Sequence, residues 1–573
     1  MANFYKDNPD IKFVIDNLDI SESIKWREEN FEQVKKYDFA PLNEKDARDS
    51  YERVLDIVGE IAGCVIAPFA ESVDEEGAHY YDGRVEYAYG TKVGLKLLSQ
   101  ADVMGFTLPR EYGGLNFPAP IYSAAIEIVS RADASIMNLF GLQDIAETIN
   151  EFADDEIKRR YLPRFASGEV TGAMILTEPD AGSDLQAVQT RAEYDEKIGM
   201  WRIYGVKRFI TNGYADIALI LARSEPGTTD GRGLSMFIYE RDDTVRIRRI
   251  ENKLGIHGSP TCEIQYNGTP AYLIGKRKMG LIKYVMALMN AARMAVSAQA
   301  LGIAEAAYRA ALKYAREREQ FKRAIIEFPA VYDMLCNMAV NIEATRALLY
   351  ETSRFVDLEK GYERLFEKTQ DKDMRPLIKE INALSGVLTP MTKYFSTEMA
   401  NKVCSDAIQV HGGTGFMKEF AVQRLYRDVR ITNIYEGTSQ LQVIGAFGGV
   451  MTRVLEKEFD RFDKMNIPAY LQDEKSELKN LRNILNRCID YLKNKNDNDY
   501  NSLVASRLVE MAVRLYTLYL LLLQAVKSER KRFITRKFLC ETDAIFQAHS
   551  NFILKGRDFL KDKYRDILDT VSE

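Results

Sequence analysis

The stretch that decides the fold is WRIYGVKRFITNGYADIALILARS, residues 201–224. It is rich in β-branched and aromatic residues, turns at Asn-Gly, and resumes as an apolar run too short for a helix. The runs LSMFIYE (234–240) and CEIQYNG (262–268) repeat that texture between Gly, Pro, Asn and Asp turns. Residues 167–280 therefore read as a small β-barrel or sandwich. On either side the spacing changes. Apolar residues recur every three or four positions in SYERVLDIVGEIAGCVIAPFAESV (50–73), in APIYSAAIEIVSRADASIMNLFG (119–141) and in GLIKYVMALMNAARMAVSAQALGIAEAAYRAALKYARERE (280–319). That is helical spacing, and the alanine-rich faces of the last run permit close packing.

The expected class is thus mainly α with a central β domain. An N-terminal helical domain covers 1–166, the β domain 167–280, a helical bundle 281–450 and an extra helical domain 451–573. A chain of 573 residues is too long for one hydrophobic core, which agrees with several units. The charged run 357–373 reads as a solvated connection between bundle helices, and KNKNDNDYN (493–501) as a loop. The apolar run near Leu515 to Val526, bounded by Arg514 and Lys527, is short for a membrane span and reads as a buried helix.

Bulk properties narrow the function. The net charge of −6 offers no general attraction for nucleic acid. Six cysteines stand singly, with neither a disulfide ladder nor a CxxC knuckle, and the four histidines have no thiol or carboxylate cluster beside them in sequence. No metal site is expected. The first residues, MANFYKDNPDIKF, lack a basic segment followed by an apolar one, and with the unpaired cysteines this points to the cytoplasm.

Five segments carry chemistry. LTEPDAGSDLQAVQTRA (176–192) runs from a strand into a turn rich in hydroxyl and backbone donors. In KRFITNG (207–213), Phe209 and Thr211 fall on one face of a strand, able to stack on and hydrogen-bond a flat ring. REREQF (316–321) places Arg318 near a helix end, where it can meet a phosphate, and QVHGGTGF (409–416) is a glycine turn open to an anionic or ribose-bearing ligand. It lacks the spacing of a P-loop. RDVRITNIYEGTSQLQ (427–442) sets Glu436 between Tyr435 and a glycine, and a carboxylate in an apolar turn is raised toward the pKa of a base working near neutrality. Taken singly, each segment also has a purely structural reading.

In this order and layout, the five segments resemble the acyl-CoA dehydrogenase family over about residues 60–450. LTEPDAGSD and IYEGTSQ are close copies of the two family signatures. REYGG (110–114), KLGIHGSPT (253–261) and the spacing from Arg293 to Gly302 agree as well. The resemblance implies a β-barrel, a four-helix bundle and bound FAD. The extra C-terminal domain is similar to that of larger members, such as the very-long-chain and 3-methylmercaptopropionyl-CoA dehydrogenases, which implies a homodimer. It further implies Glu436 as catalytic base, with its backbone N–H and a flavin hydroxyl holding the thioester oxygen. Thr177, Gly182, Ser183, Phe209 and Thr211 match flavin-side positions. Arg318, Gln320 and Phe321 match positions reaching FAD from a neighbouring subunit, while Gln409, Gly412, Gly413, Thr438 and Gln440 complete that cradle. Ser183, Asn290, Arg293 and Gly437 fall at acyl-CoA positions.

Departures from the family pattern are Phe209 for tryptophan, His257 for arginine, Lys322 for glycine and Asn290 for aspartate. Ala292 occupies the alternative position of the catalytic acid, which leaves Glu436 as the base. The implied partners are an acyl-CoA substrate and an electron-transfer flavoprotein, with no nucleic acid and no membrane association. Two alternatives are an oxidase that passes electrons to oxygen and a flavin-bearing DNA-binding protein. The basic segment KSERKRFITRKF (527–538) is the only local support for the second.

Overall fold

A computed structural model describes residues 2–556 and 558–568. Its centre is a seven-stranded sheet made of β1 (Gly172–Ile175), β2 (Arg191–Asp195), β3 (Met200–Thr211), β4 (Ile217–Arg223), β5 (Leu234–Glu240), β6 (Val245–Ile250) and β7 (Thr261–Leu273). The order is β1-β4-β2-β3-β7-β5, with β6 on β7 and a further pairing of β4 with β5. The pairings thus return on themselves, through a single residue pair between β2 and β4 and two between β5 and β7. Strand β4 is buried along its whole length, which its uninterrupted apolar sequence requires. Its alternate residues serve two cores. Ile217, Leu219 and Leu221 pack with Tyr161, Phe165 and Leu288 from helices, while Ala218, Ile220 and Ala222 join Ile203, Ile264 and Tyr266 within the sheet.

Helices flank the sheet on both sides in sequence. Those used below are α1 (Ala119–Ala132), α2 (Met286–Glu317), α3 (Pro329–Thr369), α4 (Arg375–His411), α5 (Ser439–Met451), α6 (Gln472–Lys495), α7 (Asn498–Lys527) and α8 (Glu529–Leu554). Helices α2 to α5 form the expected four-helix arrangement, with α4 packed against the other three. Gly302 lets α2 press onto α1, since a Cβ there would lie 2.3 Å from the Glu127 carbonyl oxygen. A two-stranded hairpin, 79–81 with 84–86, interrupts the N-terminal helices.

Two sequence expectations change. The run 357–373 is a solvated connection only at its end, where 367–373 are exposed: α3 continues to Thr369, and Asp357 is fully buried. Arg27 binds that carboxylate at 2.6 Å and Lys360 approaches Glu147 at 3.6 Å, so partners distant in sequence neutralise charges that looked destined for water. The supposed loop 493–501 shrinks to a tight turn between helices, with Asn496 at φ +47° and Asp497 capping the Tyr500 N–H.

Helices α6 to α8 share one core with α3, α4 and α5. Helix α7 is long and apolar enough to cross a membrane, yet Leu515, Leu518, Leu521 and Leu522 are buried in that core. The basic segment 527–538 is largely consumed internally. Lys531 is buried between Asp10 and Glu343, Arg530 pairs with Glu343, Arg536 with Glu474, and Lys537 with Asp333 and Glu541. Cations neutralised in this way present little field to a polyanion.

Candidate active site

Glu436 sits in the turn between a short helical segment (430–433) and α5. Its φ is +54°, a left-handed backbone that a non-glycine residue adopts at a cost of about 1–3 kcal/mol. Gly437 follows at φ +89°, and a Cβ there would lie 2.5 Å from Gln442 Nε2. Side chains from several helices hold this strained turn. Gln442 Nε2 donates to the carbonyls of Glu436 (3.2 Å) and Gly437 (3.0 Å), and Lys393 Nζ on α4 donates to Gly437 at 2.8 Å. The Tyr435 hydroxyl bonds Gln299 on α2 and reaches Asn138 at 3.3 Å, while Gln299 Nε2 donates to Asn138 at 2.9 Å. Thr438 caps α5.

Held in this way, the turn leaves its reactive groups free. Glu436 Oε2 is buried and has no hydrogen-bond partner among the described residues, and neither does Arg293 Nε. Within the same residues the Glu436 backbone N–H donates to nothing. A buried polar group without a partner needs an explanation, and several at one strained turn are open to a ligand. Burial pushes the Glu436 carboxyl up to about 7, although Lys393 and then Arg293 oppose the shift. Burial also pulls Lys393 down to about 7 against the field of Glu436. Arg293 likewise falls below its ordinary value, and its Nη1 donates to Asn290 at 3.0 Å. Asn290 and Arg293 therefore lie beside the base.

The other expected residues form two groups. In the first, the Thr177 carbonyl accepts from the Arg208 N–H at 3.0 Å, joining the LTEPDAGSD turn to β3. Lys207, fully buried, reinforces the join through Leu176 O (2.7 Å) and Glu178 (2.9 Å). Gly182 and Ser183 lie exposed in this turn. The register of β3 breaks between Lys207 and Ile210, and Phe209 at φ +60° stands 52% exposed beneath the Arg208 guanidinium. Ile210 is buried between Phe209 and the half-buried Thr211, so the two ring-facing candidates stay on the outward side despite the bulge.

The second group lies where α2 ends. Arg318 terminates the helix, and a small hairpin, 319–320 with 323–324, carries Gln320 and then Phe321, which is 89% exposed. The QVHGGTGF turn comes to the same place. His411 stacks on Tyr314 with 4.4 Å between ring centroids, and Thr414 Oγ1 donates to the Tyr314 hydroxyl at 3.1 Å. Gln409, Gly412 and Gly413 are exposed, and a Cβ on either glycine would meet nothing within 4 Å. Gln440 is exposed on the first turn of α5, next to the half-buried Thr438. Open glycine backbone, exposed aromatic rings and orphaned polar atoms fit a long ligand with a flat ring at one end and phosphates toward the other.

His257 binds Asp74 at 2.9 Å, and Arg427 joins the same carboxylate, so a histidine can stand where the family has arginine. Among the described residues, no group of three His, Cys, Asp or Glu is placed to hold a metal. Sequence reasoning missed Lys393, Gln299, Asn138 and the role of Gln442. Lys393 did leave a signal, as the single charge in VLTPMTKYFST, residues 387–397.

Comparison with known proteins agrees with this layout. The acyl-CoA dehydrogenase N-terminal, middle and C-terminal domain models match residues 49–169, 173–269 and 282–445. A further model, acyl-CoA dehydrogenase C terminal, matches 452–555. The 3-methylmercaptopropionyl-CoA dehydrogenase of Ruegeria pomeroyi is 34% identical over 448 residues, 73% of either chain. An acyl-CoA dehydrogenase from Bacillus anthracis, solved with FAD, shares the fold with a TM-score of 0.75 at 23% identity, over 88% of both chains. A chain from a structure of the electron transferring flavoprotein of Acidaminococcus fermentans is 32% identical, with a TM-score of 0.59, over 70% of this chain and 97% of that one. Family membership makes the chain an FAD-dependent oxidoreductase acting on the CH–CH bond of acyl-CoA, with a fold to match. The chain belongs to the acyl-CoA dehydrogenase family, in its C-terminally extended form.

Proposed function

We propose that this enzyme dehydrogenates an acyl-CoA thioester to the trans-2-enoyl-CoA, with Glu436 as the base. One observation carries the reading: the half-buried Glu436 has a buried Oε2 and a carboxyl pushed up to about 7 with no protein partner, and its own backbone N–H also lacks one. The carboxylate takes the α-proton, and the electron pair released at Cα enters the new Cα=Cβ bond as hydride leaves Cβ. The Glu436 N–H stabilises the negative charge that builds on the thioester oxygen. Bound FAD supplies the acceptor for the hydride. Arg293 and Asn290 orient the thioester, together with Ser183 and Gly437.

Thr177, Gly182, Ser183, Phe209 and Thr211 hold the flavin end. Arg318, Gln320, Phe321, Gln409, Gly412, Gly413, Thr438 and Gln440 hold the nucleotide end across a homodimer. Phe321 and Phe416, 89% and 81% exposed in the single chain, support a cradle closed by a second copy. An electron-transfer flavoprotein as acceptor is supported by the similarity to the Acidaminococcus chain. Six unpaired cysteines support a reducing cytoplasm, and fatty-acyl oxidation is the fitting metabolic role.

The test is anaerobic titration of the purified holoenzyme with a panel of acyl-CoA thioesters, followed by bleaching of the flavin absorbance. Wild-type protein bleaches with its preferred thioester, and Glu436→Gln binds the same thioester without bleaching. Bleaching by the variant would place the base elsewhere. Hydrogen peroxide formed at the rate of turnover, with no other acceptor, would make the enzyme an oxidase.

A further inference from the structure

The turn that carries Glu436 is fastened by a side chain that takes no part in the chemistry described so far. Lys393 lies in the middle of α4, fully buried, and its Nζ donates to the Gly437 carbonyl at 2.8 Å. Its neighbours on that helix are apolar or hydroxylic from Val387 to Thr397, and a lone buried ammonium is costly unless it is used. Around it the charged groups are few. Glu436 faces it from the turn and Arg293 from α2. Glu398, on its own helix, is engaged by the side chains of Ser439 and Asn433. The partner that its Nζ bonds is a carbonyl rather than a carboxylate. Its hydrogen bond goes to the carbonyl next to the base, and its charge is left for Glu436.

We infer that Lys393 is the positioning residue of the reaction: it pins the Gly437 carbonyl so that Glu436 keeps its left-handed backbone, and in its protonated form it lowers the pH at which Glu436 becomes a base. This rests on Glu436 as the base. The two duties are separable, because the hydrogen bond needs only a donor whereas the electrostatic effect needs the charge. Gln442 Nε2 also donates to the Gly437 carbonyl, at 3.0 Å, so the turn keeps one clasp when Lys393 is lost. The field has no such substitute on α4. Arg293 acts from the opposite helix and is itself bonded to Asn290.

The experiment is the pH dependence of kcat/KM for Lys393→Met, Lys393→Gln and Lys393→Arg holoenzymes, with Glu436→Gln alongside. Removal of protonated Lys393, whose field on Glu436 exceeds that of Arg293, raises the pH at which Glu436 ionises. The acid limb is therefore expected to move upward by about half a pH unit or more in the Met and Gln variants, and to stay near its wild-type position in Arg. At the pH optimum, kcat falls about tenfold in Met, with a smaller change in KM. If Met does not retain FAD, the Gln variant supplies the same reading. Limbs that coincide in wild type and both uncharged variants, or an Arg variant that behaves like Met, would overturn the inference. Turnover retained by Glu436→Gln would instead remove the base assignment itself, which separates the two failures.

Discussion

Two buried clusters of charge in this molecule have opposite fates. Around Arg346 on α3, cation and carboxylate are matched. The guanidinium binds Asp10 at 2.5 Å, Glu127 at 2.7 Å and Glu305 at 2.8 Å, the Tyr350 hydroxyl donates to Glu127 at 2.7 Å, and Lys531 reaches Glu343 at 2.8 Å. The node joins an N-terminal helix, α1, α2, α3 and α8. Around Glu436, two cations and one carboxylate lie within each other's field, yet no side chain bonds the carboxylate's Oε2. Burial acts to raise every carboxylate here, and Arg346, with Lys531 beside Asp10 and Arg309 beside Glu305, turns those two below their ordinary values, while Glu127 on the same guanidinium stays raised. Glu436 is left near 7. Pairing makes a buried charge structural, and withholding the partner makes it reactive.

The comparison can be broken at either end. Glu436→Gln is expected to cost about a thousandfold in turnover, the range of a lost general base, while the flavin spectrum and the urea midpoint stay put. A variant that unfolds earlier would mean that Glu436 is structural after all. Arg346→Met strands several carboxylates and should cost about 3–5 kcal/mol in urea unfolding. A loss under 1 kcal/mol would show that the node relaxes or that water replaces the arginine.

Because the ionised carboxylate is the active form, kcat/KM should fall about tenfold per pH unit below about 7. An acid limb near 4.5, the ordinary glutamate value, would show that the pocket leaves Glu436 solvated. A smaller effect belongs to Lys322, which stands at φ +66° where the family has glycine. Lys322→Gly should stabilise the protein by about 0.5–1 kcal/mol in thermal or urea unfolding, because the left-handed strain relieved exceeds the chain entropy added, and a destabilised variant would refute this. The smallest effect concerns His257. Asp74 raises its pKa above the ordinary 6.5, so its contribution to stability is complete below that value and is lost as pH rises through the folded pKa. His257→Arg keeps the charge throughout and should narrow the difference in Tm between about pH 6 and about pH 8.

Much of this was legible in the sequence, for local reasons. The unbroken apolar runs of β4 and β5, the Asn-Gly turn and the helical spacing of α1 and α2 declare their elements because each buries one face or two against a continuous core. Glu436 was legible as a candidate base, through its own signature and the four accompanying segments. The run 357–373 was misread because nothing local shows that Arg27 waits for Asp357, 330 residues away. The bulge at Phe209 was hidden for a related reason. Period two holds on either side of it, and only the pairing of β3 with β7 shows where the register slips.

By itself the sequence determined the order of helical and β units, the segments proposed to hold the flavin, and a carboxylate between tyrosine and glycine at position 436. Tertiary structure alone decided what that carboxylate is worth. Its pKa depends on Lys393, Arg293 and the depth of burial, and these come from other helices, Lys393 standing 44 residues before the carbonyl it binds. Electrostatic energy follows distance and dielectric in space, and neither is written along the chain.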